Sequence, residues 1–251
     1  MNGQSHPISL RLLKGFALTI DHTRIPVCSS TQRLLAFLAL QDMPRSRAYV
    51  AGILWPNVTT SRANANLRSS LWRATRPGHP IIDVSSHELA ISKDIVVDLH
   101  QSVARAHRLL DNSRTCDDIL TMQTLTDLSA DLLPEWPEND WMLIEQEQYR
   151  QLRLYALEAM TERLTAARRH GEAVAAGLTA VRTEPLRESA HHVLMRAHLA
   201  AGNRGAALRQ YEQCRRTLQN ELGLEPSASL RALLPPRTEH NGRSRLQHSG
   251  A

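Results

Sequence analysis

Lysine is nearly missing from this chain: Lys14 and Lys93 are the only two among 30 Lys and Arg residues. A GC-rich genome produces that bias as readily as a need for bidentate contacts does, so it excludes nothing by itself. Cysteine is also sparse. Cys28, Cys116 and Cys214 form no CxxC pair, which excludes a zinc knuckle and a disulfide framework. Cys28 and Cys116 have no recognisable His partner and read as small apolar fillers. No stretch approaches the run of about 18 apolar residues that a membrane span needs, and the opening MNGQSHPIS has no apolar signal core. The expected compartment is the reducing bacterial cytoplasm, at the nucleoid, with no membrane partner. The GxxxxGK[ST] phosphate loop is absent, so no ATP use is expected.

The most telling absence is local. Between Thr59 and Ile82 there is no Asp or Glu. Within that window, SRANANLRSSLWRATR (residues 61–76) places Leu67, Leu71 and Ala74 at i, i+4 and i+7, one side of a helix. The opposite side carries Arg62, Asn66, Ser69, Arg73 and Arg76. Arg pairs bidentately with guanine or holds a phosphate, and Asn pairs with adenine, so this side suits a DNA major groove. A solvated cationic surface is the plainer reading, and the neighbouring elements decide between the two.

Those neighbours supply a context. Ile8 to Leu13, Phe16 to Ile20 and Arg24 to Val27 read as short strands of an antiparallel opening sheet. Ser29 and Gln32 read as a capping box before the apolar run Leu34 to Leu40, which starts a first helix. Ser46 caps a second helix that Trp55-Pro56 closes, and Thr60 caps the cationic third, which Pro77-Gly78 ends. IIDV and ELAI then flank SSH as a hairpin. Strands, three helices and a hairpin, in that order, make a winged helix-turn-helix, whose third helix enters the major groove while the hairpin touches the flanking backbone.

From residue 99 the pattern is helical, with expected helices over Leu99 to Leu110 and Asp118 to Leu128, a rigid turn at LLPEWPENDW, and an amphipathic stretch from Met142 to Arg169. A 34-residue repeat follows. Ala156, Ala166, Ala167, Gly171 and Ala173 match Ala190, Ala200, Ala201, Gly205 and Ala207, and Val174 aligns with Leu208. This is the period of a tetratricopeptide helix pair, with small residues where paired helices approach and Pro185 and Pro226 after each second helix. The fold expected is mixed and mainly α. Residues 1–98 form the winged helix, 99–234 an all-α repeat domain, and 235–251 a disordered tail. Charge follows the same division: 11 Lys and Arg stand against 6 Asp and Glu in residues 1–98, and 19 against 19 in the remainder. Only the first part is suited to a polyanion.

Several segments together carry a family resemblance: TQRLLAFLAL, ILWP, ANLRSSLWRATR, LLPEW, RQLRLYALEAMTERL and, most specific, the repeat ending in ELGLEPS. Over about residues 8 to 234 the chain resembles the SARP type of bacterial transcription activators, the Streptomyces antibiotic regulatory proteins. These join a response-regulator-like winged helix to a bacterial transcriptional activation domain. The resemblance implies binding to repeated promoter elements on double-stranded DNA, as a homodimer, and contact with RNA polymerase holoenzyme near its sigma factor. The DNA-contacting positions it implies are Arg62, Asn66, Ser69, Arg73 and Arg76. Many relatives carry two adjacent Arg where this chain has Trp72-Arg73, and Trp72 is expected to pack under the hairpin.

No group reads as a catalytic centre. Glu188 and His192 stand four apart with His191 and His198 nearby, which describes a helical ion pair or a packed histidine better than a metal site. Glu135, Glu138 and Asp140 sit on a Pro-rich turn and are expected to be solvated. No enzyme activity, cofactor or metal is expected. The competing reading is an interaction adaptor, with a peptide in the repeat groove and a degenerate winged helix. It has no use for Arg62, Asn66 and Arg73 on one face.

Overall fold

The computed structural model describes residues 8–76, 78–111, 117–136 and 140–234. The chain divides into two compact units, Met1–Met160 and Thr161–Ala251.

The first unit opens with β1 (Ile8–Arg11), β2 (Ala17–Ile20) and β3 (Thr23–Ile25), then α1 (Ser29–Ala39), β4 (Arg45–Ser46), α2 (Arg47–Leu54) and α3 (Thr60–Ala74). The hairpin β5 (Ile82–Val84) and β6 (Glu88–Ile91) follows, then β7 (Ile95–Val97), α4 (Asp98–Leu110), a short 3-10 turn (Asp117–Ile119) and α5 (Met122–Leu128). The opening sheet is not purely antiparallel. Its order is β3-β2-β1-β7, and β7 joins parallel to β1 with Ile8 opposite Ile95. IVV is only three residues long and runs straight into α4, so alternation gave no signal for it. Asp98 fastens this junction: its carboxylate accepts from the backbone N–H groups of Leu12 at 2.8 Å, Leu13 at 3.1 Å and Leu99 at 2.8 Å. The hairpin also gains a third strand, for β4 pairs with β6 to give the order β4-β6-β5.

Alternation on β1 and β2 sends Ile8, Leu10, Leu18 and Ile20 into one core with Leu35 and Ala39 of α1 and with Leu132 and Leu133. The other side of α1 sends Leu34, Phe37 and Leu38 into a second core with Val50 and Leu54 of α2, Ala63 and Leu67 of α3, and Leu89 of the hairpin. One apolar helix therefore welds sheet, helices and wing together.

Two caps differ from the sequence reading by one residue. Cys28, not Ser29, is the N-cap of α1, and Gln32 donates its side-chain N–H to Val27 O at 2.7 Å instead of completing a capping box. Moving the cap back puts Gln32 beyond the third helical position, too far along to bond the cap's own N–H. Thr59, not Thr60, caps α3 and accepts from Arg62 N at 3.4 Å. Ser46 caps α2 as expected, accepting from Tyr49 N at 3.2 Å.

The long helix α6 (Asp140–Ala166) leads into α7 (His170–Thr183), α8 (Glu188–Ala200), α9 (Arg204–Leu222) and α10 (Ala228–Ala232). α6 and α8 end 34 residues apart, and α7 and α9 begin 34 residues apart, matching the sequence period. Ala156, Ala173, Ala190 and Ala207 are buried, but Ala166, Ala167, Ala200, Gly171 and Gly205 are exposed. The exposed group marks helix ends, the turns after them and first helical turns rather than close packing. Close approach in the second unit is made by Gly177 of α7, where a Cβ would stand 3.1 Å from the Leu194 side chain of α8. The ELGLEPS segment stops α9 with Gly223 in the left-handed region (φ +68), and Leu224 N reaches back to Leu218 O at 3.3 Å. Ser227 then caps α10 while its own N–H donates to Glu188 at 2.7 Å.

Candidate nucleic-acid interface

α3 is built so that one face is spent on the core and the other is left exposed. Ala63, Leu67, Ser70 and Ala74 are buried and Leu71 is half-buried. Helix–helix packing of α3 on α1 and α2 is tightened by the Thr31 hydroxyl, which donates to Ser70 O at 3.4 Å. A buried Ser70 among apolar residues fits because its helix position faces this contact.

The other face carries the cations. Arg62, Ser69 and Arg73 are exposed and Asn66 is half-buried. The Arg62 guanidinium makes no hydrogen bond or ion pair among the described residues, as expected where no carboxylate occurs from Thr59 to Ile82. Arg73 donates weakly to the Cys28 sulfur at 3.8 Å. Arg76 lies beyond the helix end and folds back, its Nη1 donating to Arg73 O at 2.7 Å and Thr75 O at 2.9 Å. It covers the carbonyls that the last turn leaves open, so part of its hydrogen-bonding capacity is spent on α3 itself.

Two residues of this face escaped the sequence reading. Arg68 is exposed and likewise without a hydrogen bond or ion pair among the described residues. Trp72 is 78% exposed, which corrects its expected place under the hairpin. Its position in the helix points it past Leu71 and Ala74, the residues that do meet the hairpin side. The stripe Arg68, Trp72, Arg76 at i, i+4, i+8 was the available signal, masked because a Trp was read as core by type.

Cys28 is the second correction. It is exposed at the start of α1, not a filler, and its thiol is lowered to about 6. The Thr31 hydroxyl is the main cause, followed by the Ser30 hydroxyl and the Thr31 backbone N–H; slight burial opposes them, and Arg73 adds least. Cys116 lies outside the described residues, as do Glu138 and the expected tail over 235–251.

Beside the helix, the wing presents exposed Val84, Ser85, His87 and Glu88, and Arg47 N donates to His87 O at 3.0 Å. Among the described residues no group of His, Cys, Asp and Glu could hold a metal ion. His191 is packed: its Nε2 bonds Pro185 O at 2.9 Å and its Nδ1 faces Gln210 at 2.7 Å, while Glu188 is engaged with Ser227. No helix among the described residues is long and apolar enough to cross a membrane.

The model that describes the bacterial transcriptional activator domain matches residues 94–234, more than half of the chain. The chain belongs to the bacterial transcriptional activator domain family. That family is one of bacterial transcriptional activators rather than of enzymes, and the small sheet with helices and wing followed by a helical domain is a fold shared with a solved structure. A solved structure with this fold is that of Mycobacterium tuberculosis EmbR in complex with a low-affinity phosphopeptide, with a TM-score of 0.67 and 22% identity over 91% of this chain. This activator-domain protein spans 64% of the length of that chain. Comparison with curated proteins finds none that matches.

Proposed function

We infer that this activator works by sequence-specific binding to repeated elements in promoter DNA, through α3 in the major groove, and by recruiting RNA polymerase holoenzyme near its sigma factor. Residues 1–98 do the DNA binding, residues 99–234 make the polymerase contact, and two copies bind as a homodimer. The single observation that carries the reading is the exposed face of α3. Arg62 and Arg73 stand there without a carboxylate partner among the described residues, on a helix whose opposite face is locked into the core. Unpaired guanidinium groups are available to phosphates and guanine edges at no cost in broken ion pairs. Arg62, Asn66, Ser69 and Arg73 supply base or phosphate contacts, and Arg76 supplies a phosphate contact from the helix end.

The test is selection of genomic fragments by the purified protein at near-physiological salt, with Arg62→Ala/Arg73→Ala run in parallel. Enrichment of a repeated motif that the double variant loses is the expected result. If a folded wild-type protein enriches no sequence, the DNA reading fails and the protein-interaction adaptor takes its place.

A further inference from the structure

Trp is among the largest apolar side chains, and leaving one open to water forgoes a large burial gain unless a partner covers it. Trp72 is left open, with its neighbours one turn away being Arg68 and Ser69 on one side and Arg76 on the other. Beside it lies a cleft of about 580 Å³ between the end of α3 and the wing, walled by Leu71, Pro80, Ile82 and Val84 and edged by Arg47 and Arg76. Val84 is itself 56% exposed, and among the described residues no Asp or Glu lines the cleft. An apolar wall inside a cationic rim, next to the helix face already read as DNA-facing, calls for an apolar feature inside a polyanion.

DNA has one such feature in its major groove. The C5 methyl of thymine projects there, whereas cytosine and the purines show only donors, acceptors or ring edges. The cationic rim suits the phosphates on either side of that base. A protein partner would also take a Trp and Arg pair, but the shared face with Ser69 and Arg73 puts Trp72 inside the same contact as the helix.

We propose that Trp72 reads thymine: its indole, with the cleft beside it, covers the C5 methyl at one base pair of each promoter element and sets a preference for T there. Arg47 and Arg76 hold the flanking phosphates. The proposal rests on the DNA-binding reading above and adds a base and a residue to it.

The test uses the full chain and the tightest duplex recovered by the genomic selection. Each T is replaced singly by uracil, which removes only the methyl, and affinity is measured by fluorescence anisotropy at one fixed salt concentration. For wild type, one T→U position per element weakens binding about fourfold, the value of one buried methyl. Trp72→Ala binds the T and U duplexes equally, and Trp72→Phe keeps a reduced preference. Because Trp72 is exposed, its truncation leaves the fold intact, which circular dichroism verifies.

The proposal is overturned if no T→U position costs affinity, or if the cost persists in Trp72→Ala. It is equally overturned if Trp72→Ala binds every duplex as wild type does but fails to retain polymerase holoenzyme on the promoter, which assigns Trp72 to a protein contact. Loss of all sequence preference by wild-type protein is the separate outcome that removes the DNA reading itself.

Discussion

Arg62 and Arg68 of α3 and three arginines of the helices after Thr161 have the same chemistry and opposite employment. In the second unit Arg169 pairs with Glu172 at 2.5 Å, Arg196 with Glu162 at 3.3 Å, and Arg215 with Glu212 at 3.2 Å and Glu225 at 4.0 Å. On α3, Arg62 and Arg68 make no such pair among the described residues. The number of cations therefore says little about an interface; the absence of carboxylates near them says much more. Exposed pairs contribute at most about 1 kcal/mol to stability, so the second unit gains little from its pairs beyond neutrality. An unpaired guanidinium keeps its full capacity for a polyanion.

The sharpest way to break this contrast is to remove two arginines from each region. Arg62→Ala/Arg73→Ala is expected to weaken the selected duplex by at least about 30-fold and to flatten the salt dependence, at about 1–3 kcal/mol for a base contact or one phosphate contact for each arginine. Arg196→Ala/Arg215→Ala is expected to change affinity less than about twofold, since those groups already face carboxylates. Equal losses from the two double variants, read by anisotropy titrations at several salt concentrations, would erase the distinction between free and paired arginine.

What the sequence made legible follows the same line. The core face of α3, the three helices of the winged part, the hairpin and the 34-residue spacing were all readable, because each rests on periodicity or on turn chemistry within a few residues. β7 was not readable, for its pairing with β1 joins residues more than 80 positions apart and its three residues carry no alternation of their own. Trp72 was misjudged because residue type was allowed to outweigh its position on the helix wheel. Cys28 is misjudged because a cysteine without a His partner reads as an apolar filler by type, whereas its place at the N-cap of α1 leaves it exposed. The small residues of the repeat were recognised, but their split into buried and exposed sets depends on packing that no spacing encodes.

That split gives the next test, which compares two glycines of one helix. Gly171 has open space where a Cβ would go, whereas a Cβ at Gly177 would stand 3.1 Å from Leu194. Gly171→Ala is expected to raise stability by about 0.4–1 kcal/mol, from reduced freedom of the unfolded chain and better helix propensity. Gly177→Ala is expected to lower it by about 1 kcal/mol, since the strain of overpacking exceeds the same gain. Urea unfolding followed by circular dichroism measures both, and stabilisation by Gly177→Ala would show that α7 and α8 separate more readily than their packing implies.

A smaller effect separates the buried histidine from the exposed cations. Burial lowers the His191 pKa below the ordinary value, and its Nε2–H donates to Pro185 O while Nδ1 accepts from Gln210. The folded state thus holds the neutral ring, and the unfolded chain takes up the proton first as pH falls. Stability is complete above the unfolded value of about 6.5 and declines as pH drops toward the lower folded value. Unfolding free energy measured from pH 7.5 to 5 is expected to fall, with His191→Gln making the slope shallower by at most about 1.4 kcal/mol per pH unit. His198, also lowered by burial, leaves a residual slope in the variant. An unchanged slope in His191→Gln would mean that the ring is protonated as easily folded as unfolded.

The least disruptive test compares the two described cysteines, one from each unit. Cys28 is exposed with its thiol lowered to about 6, and Cys214 is buried with its thiol raised to about 11, mainly by burial. Alkylation by iodoacetamide follows the thiolate. Peptide mapping by mass spectrometry should therefore show Cys28 labelled with a midpoint near pH 6 and Cys214 untouched below pH 9. The Thr31 hydroxyl divides its one proton between the Cys28 sulfur at 3.3 Å and Ser70 O at 3.4 Å, and the thiolate draws it to sulfur. Thr31→Val removes the largest cause of the lowered value and should move the midpoint upward further than Arg73→Ala, which removes the smallest. The reverse order would mean that the α3 guanidinium, not the α1 hydroxyl, governs this thiolate. Arg73 would then be bound to the protein's own sulfur instead of free for DNA, and the contrast between the two sets of arginines would lose one of its members.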